Sequence, residues 1–290
     1  MATSDGLEGE SDSTVRQVTA TLRPETRFPV PQSDGYSVYS ALLSVLSEVD
    51  AGVGASVHDS ALGSLHCSGL QGPFGGSDRP HHKTLLPGKT YDLSLGIVHS
   101  DDTEVFQTLV NGLVLRGEPI ELSHGELRVE RFESENATHG ELLERASAYD
   151  DPEVEMEFRT ATCIEEAGDV TTLVPHRWSV INSLIGKWNQ SCPSDLELDL
   201  DREAVLGGVI EKPDPRSFDT HSVLVNRVEN ADGENRNLFR QGFTGTCGYA
   251  FKDASESVTN AVVALALFGE YSGVGSAVAR GCGSISVSVE

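Results

Sequence analysis

Between residues 273 and 283 the sequence reads GVGSAVARGCG, with two pairs of glycines set around one arginine. Gly273, Gly275, Gly281 and Gly283 leave the backbone without side-chain cover twice over, and Arg280 lies between the pairs. Such a loop can approach a phosphate chain closely, offering backbone N–H groups while the guanidinium supplies a planar fork of donors. A dinucleotide fingerprint would need GxGxxG after a strand and before a helix. Here position 278 is valine, and the order around the loop is helix, loop, strand. A plain glycine turn joining a helix to a strand is the competing reading.

Nine histidines, at 58, 66, 81, 82, 99, 124, 139, 176 and 221, are the groups suited to proton transfer near neutral pH. Asp195, Glu197, Asp199 and Asp201 alternate as acids, a pattern that in so acidic a chain reads as one solvated face rather than a metal site. The five cysteines, 67, 163, 192, 247 and 282, lie far apart with no CxxC pair, as reduced structural thiols would. No metal and no cofactor is expected.

Elements that would position these groups follow from periodicity. Residues 1–14 are acidic, small and polar, the composition of a disordered tail. Val18, Ala20 and Leu22 alternate with polar residues as a strand, and Val38, Leu42, Val45 and Val49 fall at helical spacing between Asp34 and Asp50. Strands near Leu62 to Leu70, Tyr91 to Ile97 and within Ile120 to Phe132, with a helix marked by Val105, Leu109 and Leu113, complete a βαββαβ order. A polar, acidic linker is expected over 136–152. A second unit then repeats the first: a strand at Val154, Met156 and Phe158, a helix carrying Trp178, Ile181, Ile185 and Trp188, strands near 221–228 and 238–251, a helix with Val258, Val262 and Leu265, and a closing strand at Ile285, Val287 and Val289. The fold expected is α+β, two tandem ferredoxin-like (RRM-like) domains over 15–135 and 153–290.

Acidic residues number 45 against 21 basic ones, a net charge of −24. The lysines are only Lys83, Lys89, Lys187, Lys212 and Lys252, the other basic residues being arginine, and the acid is spread along the whole chain. That pattern resembles proteins of salt-accumulating halophiles. In molar salt the Debye length falls to about 3 Å, so local arginines rather than net charge decide what binds. The N-terminus MATSDGLEGESDST has no signal-peptide character and no apolar run is long enough to span a bilayer, which points to a cytoplasmic protein without a membrane partner.

The spacing of the 273–283 loop, glycine-hydrophobic-glycine repeated around five residues just before the last strand, resembles the signature of the CRISPR repeat-processing endoribonucleases of the RAMP superfamily. GFTGTCGYAF at 242–251, LFGEYSGVG at 267–275, VPHRWSVINSLIGKWNQ at 174–190 and the early YSALLSVLSEVD followed by VHDS resemble landmarks of that family in the same order. The resemblance covers the chain from about residue 15, most strongly at its C-terminal end.

What the resemblance implies is RNA binding along a cleft shared by two ferredoxin-like domains, and metal-independent cleavage within CRISPR repeats that leaves 2′,3′-cyclic phosphate and 5′-hydroxyl ends. Repeat RNA, guide RNA and subunits of the interference complex would be the partners. The family's catalytic histidine follows the first helix, where His58 stands here, with His66 as runner-up. The family often adds a tyrosine and a lysine. At the matching tyrosine place stands Leu43, with Tyr39 and Tyr36 one or two turns earlier, and no lysine falls between His58 and Lys83. Tyr39 is the tyrosine candidate, and Arg79, Lys83 or Arg27 the candidates for stabilising a phosphorane. The rival reading is a non-catalytic RAMP subunit that binds guide RNA within an effector complex.

Overall fold

The computed structural model describes residues 14–49, 65–99, 103–166, 170–229 and 235–290. The chain begins with β1 (Thr14–Pro24), β2 (Phe28–Pro31) and α1 (Gly35–Val49), then β3 (Leu65–Cys67), β4 (Gly75–Gly76), β5 (His82–Leu85) and β6 (Tyr91–Ile97). Helix α2 (Thr103–Val110) runs on as a π-helical segment, Asn111–Arg116, before β7 (Ile120–Leu122) and β8 (Gly125–Thr138). The first sheet has the antiparallel order β3-β6-β1-β8-β7. Its first four members, taken in chain order, follow the 2-3-1-4 arrangement of a ferredoxin-like unit. Ala20 and Leu22 point from β1 into the same core as Val38, Leu42, Val45 and Leu46 of α1, which is the packing that period two and period 3.6 require of facing layers.

After α3 (His139–Ser147) the second unit comprises β9 (Glu153–Thr162), β10 (Ile164–Glu166), β11 (Val170–Thr172), α4 (Arg177–Ser191), α5 (Arg202–Gly208), β12 (Val209–Pro213), β13 (Asp219–Glu229), β14 (Asn235–Phe251), α6 (Glu256–Ser272) and β15 (Ile285–Val289). Its sheet has the order β12-β14-β9-β15, and β13 also pairs with β14. The same ferredoxin-like arrangement therefore recurs, and the α+β double fold read from the sequence is the fold observed. β14 pairs with β9 only from Phe243 to Ala250, whereas its pairing with β13 continues to Glu229 opposite Asn235. The distal part of β13 and β14 is thus a two-stranded ribbon extending past the sheet.

One segment differs from the sequence expectation. The stretch 136–152, expected as a linker, starts with the end of β8 and carries α3, closed by a capping box in which Thr138 Oγ1 accepts from the Glu141 N–H and Glu141 returns the bond to the Thr138 N–H. The segment after the exposed His81 contributes β5 to a small sheet of order β2-β5-β4. The acids Asp195, Glu197, Asp199 and Asp201 are all exposed, as a solvated face requires; Ser194–Leu196 is a 3-10 turn and Asp201 caps α5 by accepting from the Ala204 N–H. The expected tail, 1–14, lies outside the described residues except for Thr14.

Helix α6 joins the two units. From Ala261 to Gly269 every residue is buried, because one side packs on the second sheet and the other meets the first. Val15, Val98 and Ala137 of the first unit share one core with Val262, Phe268 and Tyr271 of α6. Gln17 Nε2 donates to Glu270 O at 2.8 Å, and a Cβ on Gly96 of β6 would collide with the Tyr271 carbonyl. A helix so clamped fixes where the loop after it emerges. No helix among the described residues is long and apolar enough to cross a membrane.

Candidate nucleic-acid interface

The 273–283 loop leaves α6 at Gly273, whose φ of 63° lies in the region that favours glycine. Gly275, Ala277, Gly281 and Gly283 also have positive φ, and Val278–Arg280 forms a single 3-10 turn between them. The spaces that side chains would fill are occupied by protein. A Cβ on Gly281 would strike Gly35 at the start of α1, one on Gly275 the Cys163 carbonyl, one on Gly283 the Val274 carbonyl, and one on Gly273 would lie 2.8 Å from His66 Cδ2. Gly273 and Gly283 are buried. Several loop N–H groups are also committed inside: Gly275 to Ser183 Oγ at 2.8 Å, Ser276 to Cys163 O at 2.8 Å, and Gly283 to Ala161 O at 3.1 Å. The glycines thus serve close internal packing, where the sequence reading expected open backbone. Gly275, Arg280 and Gly281 are the partly exposed members of the candidate set.

Arg280 is turned onto the first unit. Its Cζ sits 5.5 Å from the centroid of the Tyr39 ring, and its Nε is buried without a hydrogen-bond partner among the described residues. Tyr39 itself is 8% exposed. Burial raises its hydroxyl above the usual phenol range, helped by Tyr36 and opposed by Arg280, so it is a proton donor rather than a ready base at neutral pH. Beneath this junction a groove of about 310 Å³ runs between the units, lined by Gln32, Gly35 and Gln71 from one side and His221, Thr244 and Arg280 from the other. His221 Nε2 lies 2.9 Å from Thr244 Oγ1.

The cations proposed from sequence to oppose phosphorane charge fare differently. Lys83 pairs with Asp34 at 3.0 Å, where Asp34 is 4% exposed, and stands 3.7 Å over the Phe74 ring. Asp34 Oδ1 in turn accepts from the Leu70 N–H, so the pair ties the start of α1 to the β3 loop. Burial raises the Asp34 carboxyl, and Lys83 counters the shift. Lys83 is therefore held within the protein. Arg79 is 2.6 Å from His124 Nε2 on an exposed face, and Arg27 is exposed. His58 lies outside the described residues. His66, the runner-up, is 1% exposed on β3, and neither ring nitrogen has a hydrogen-bond partner among the described residues, a packing position.

Two further groups escaped the sequence reading, Lys187 in the interior and the exposed Arg227. Lys187 of α4 donates from Nζ to Ser272 O at 3.1 Å and Gly273 O at 2.7 Å, bracing the last turn of α6 where the loop begins. Burial brings its ammonium down to about 7. Arg227, near the end of the β13–β14 ribbon, places its Cζ 5.9 Å from the centroid of the Tyr36 ring. Neither residue carries a local sequence signal, since each acquires its role only when distant elements pack. All five cysteines are free, and no group of metal-ligating side chains forms a cluster among the described residues.

Residues 156–285 match the family model described as CRISPR-associated endoribonuclease Cas6. No curated protein matches the chain. Among solved structures, Thermus thermophilus Cas6 (TTHB231) superposes with a TM-score of 0.65 at 17% identity, over 95% of this chain and 99% of that one. The Cas6 (TTHA0078) product complex gives 0.63 at 20% identity over 95% and 99%. A Cas6-related protein from Pyrococcus furiosus gives 0.58 at 12% over 95% and 98%. At these identities the likeness is one of fold, and it extends over both units.

Proposed function

We propose that this chain is a Cas6-type endoribonuclease that binds CRISPR repeat RNA and cleaves it within the repeat without a metal ion. The observation that carries the reading is the contact between the 273–283 loop and α1: the segment matching the Cas6 model delivers Arg280 across the unit boundary onto the helix that precedes His58. The double ferredoxin-like fold shared with Cas6 structures supports it.

In this reading a ribose-phosphate strand lies over Gly275, Arg280 and Gly281, with Gly273 and Gly283 shaping the loop from beneath. Cleavage requires removal of the proton from a 2′-hydroxyl, attack of that oxygen on the adjacent phosphorus, and protonation of the departing 5′-oxygen. The products are a 2′,3′-cyclic phosphate and a 5′-hydroxyl, and neither proton transfer calls for a metal. His58 performs proton transfer, and Tyr39, kept protonated by burial, donates a hydrogen bond towards the phosphate. Arg280 opposes the charge that grows on the phosphorane. The acidic composition fits action in concentrated salt in a halophile's cytoplasm, where screening removes the long-range repulsion of RNA. Released guide RNA and subunits of an interference complex would be the downstream partners.

The test is His58→Ala assayed on labelled repeat RNA in molar KCl. Cutting is expected to fall by at least about 100-fold, the usual contribution of a positioned acid or base, with repeat affinity nearly unchanged. Wild-type protein that binds the repeat but leaves it whole would instead favour a non-catalytic RAMP subunit.

A further inference from the structure

Six of the sixteen arginines form ion pairs with carboxylates among the described residues. Arg23 pairs with Glu130, Arg128 with Glu25 and Glu126, Arg159 with Glu157, and Arg240 with Glu165. What sets Arg227 and Arg280 apart from the remaining arginines is what each lies over. No ion pair among the described residues includes either of them, and each is held over a tyrosine ring of α1 instead.

The two rings belong to Tyr36 and Tyr39, three residues apart on one helix and therefore on one face. The two arginines come from separate places, the end of the β13–β14 ribbon and the loop after α6, so their placement over neighbouring rings of α1 is made by the tertiary fold. A carboxylate would neutralise a guanidinium and occupy its fork of donors. A ring fixes its position while leaving its charge and its N–H groups available to an anion. Arg280 is partly exposed, and its Nε has no hydrogen-bond partner among the described residues.

We infer that Arg227 is a catalytic residue of the nuclease proposed above, forming with Arg280 a two-arginine clamp that holds the scissile phosphate against the Tyr36 and Tyr39 face of α1. The inference rests on that proposal. It also supplies the cation that the sequence lacked, since no lysine falls between His58 and Lys83, and Lys83 is engaged with Asp34. Arg227 binds the non-bridging phosphate oxygens, and its share of the stabilisation grows as the phosphorane gains negative charge. A cation acting in this way affects the rate of the bound complex more than the affinity for uncut RNA.

The experiment compares wild type, Arg227→Ala and Arg227→Lys in molar KCl. Single-turnover cleavage is measured with enzyme in saturating excess over repeat RNA, and dissociation constants with the same RNA carrying a 2′-deoxy nucleotide at the cut, which cannot react. Arg227→Ala is expected to slow the saturated reaction by about 100-fold, within the range for loss of one preorganised donor, while the dissociation constant rises less than about 10-fold. Arg227→Lys should recover part of the rate, because charge returns without the fork. Thermal unfolding of each variant within a few degrees of wild type excludes a folding defect. A saturated rate unchanged by Arg227→Ala overturns the clamp while leaving the nuclease reading intact, and so does a loss confined to affinity. Wild type that binds but does not cut overturns both.

Discussion

His66 stands on β3, its ring nitrogens without a partner among the described residues, wedged against Gly273 at the root of the loop. Burial pushes its imidazole down to about 3, with the Lys187 charge adding to the shift, against an ordinary value of 6.5. Between these values the unfolded chain takes up a proton that the folded chain refuses, so stability falls as pH drops from 6.5 towards 3. The loss from this one site is about 2 kcal/mol by pH 5, and chemical denaturation at pH 7.5 and pH 5 in constant KCl would measure it. His66→Gln should show a loss smaller by that amount, and an equal acid sensitivity in the variant would assign the effect elsewhere. At this scale the glycine frame drew attention to Arg280, which the fold turns onto α1, whereas His66, the runner-up for proton transfer, is buried on β3. Arg227 and Lys187 were not legible in the sequence, because a lone cation has no period and its partners, a ring on α1 and two carbonyls of α6, lie far away in the chain.

Helices and strands were legible wherever one face is buried and the other wet. The amphipathic α1, expected over Asp34 to Asp50, spans Gly35–Val49, and the alternation of β9 and β6 placed both strands. Helix α3 was overlooked although Thr138 and Glu141 spell a capping box, because the polar surroundings outweighed a nine-residue helix with only His139, Leu142 and Ala146 buried. The acids at 195 to 201 alternate without forming a strand, since Asn189 already holds Leu198 through its N–H and carbonyl. The glycine loop was found but its glycines were read outward, whereas close packing is decided by neighbours that only the fold supplies. At Gly281, with φ of 82° and Gly35 in contact, alanine meets both a disfavoured conformation and a collision. Gly281→Ala should cost roughly 2 kcal/mol of stability or more, read from denaturant midpoints, and should weaken repeat RNA binding because Arg280 shifts with its neighbour. Unaltered stability and binding would show that the loop tolerates a side chain there.

Across the whole molecule, the repeated βαββαβ order made the double fold readable, since each unit shows its own period-two and period-3.6 patterns. The way the units pack was less legible: the apolar run of α6 signals burial on all sides but does not say that the second layer is the sheet of the first unit. The uniform acidity is a property of this same scale. Self-repulsion from a net charge of −24 is strongest in dilute buffer, so the unfolding midpoint should rise steadily from 0.1 M to molar KCl. A midpoint independent of salt would remove the case for halophilic adaptation. RNA affinity, in contrast, weakens with salt for every phosphate contact, so useful binding in molar KCl demands a few well-placed arginines rather than a broad basic surface. The most direct test of the nuclease account is incubation of the purified protein with end-labelled CRISPR repeat RNA in molar KCl containing EDTA, followed by analysis of the product ends. The account predicts one cut per repeat, with a 2′,3′-cyclic phosphate upstream and a 5′-hydroxyl downstream. Intact RNA, or cutting that stops when the chelator is added, would contradict it.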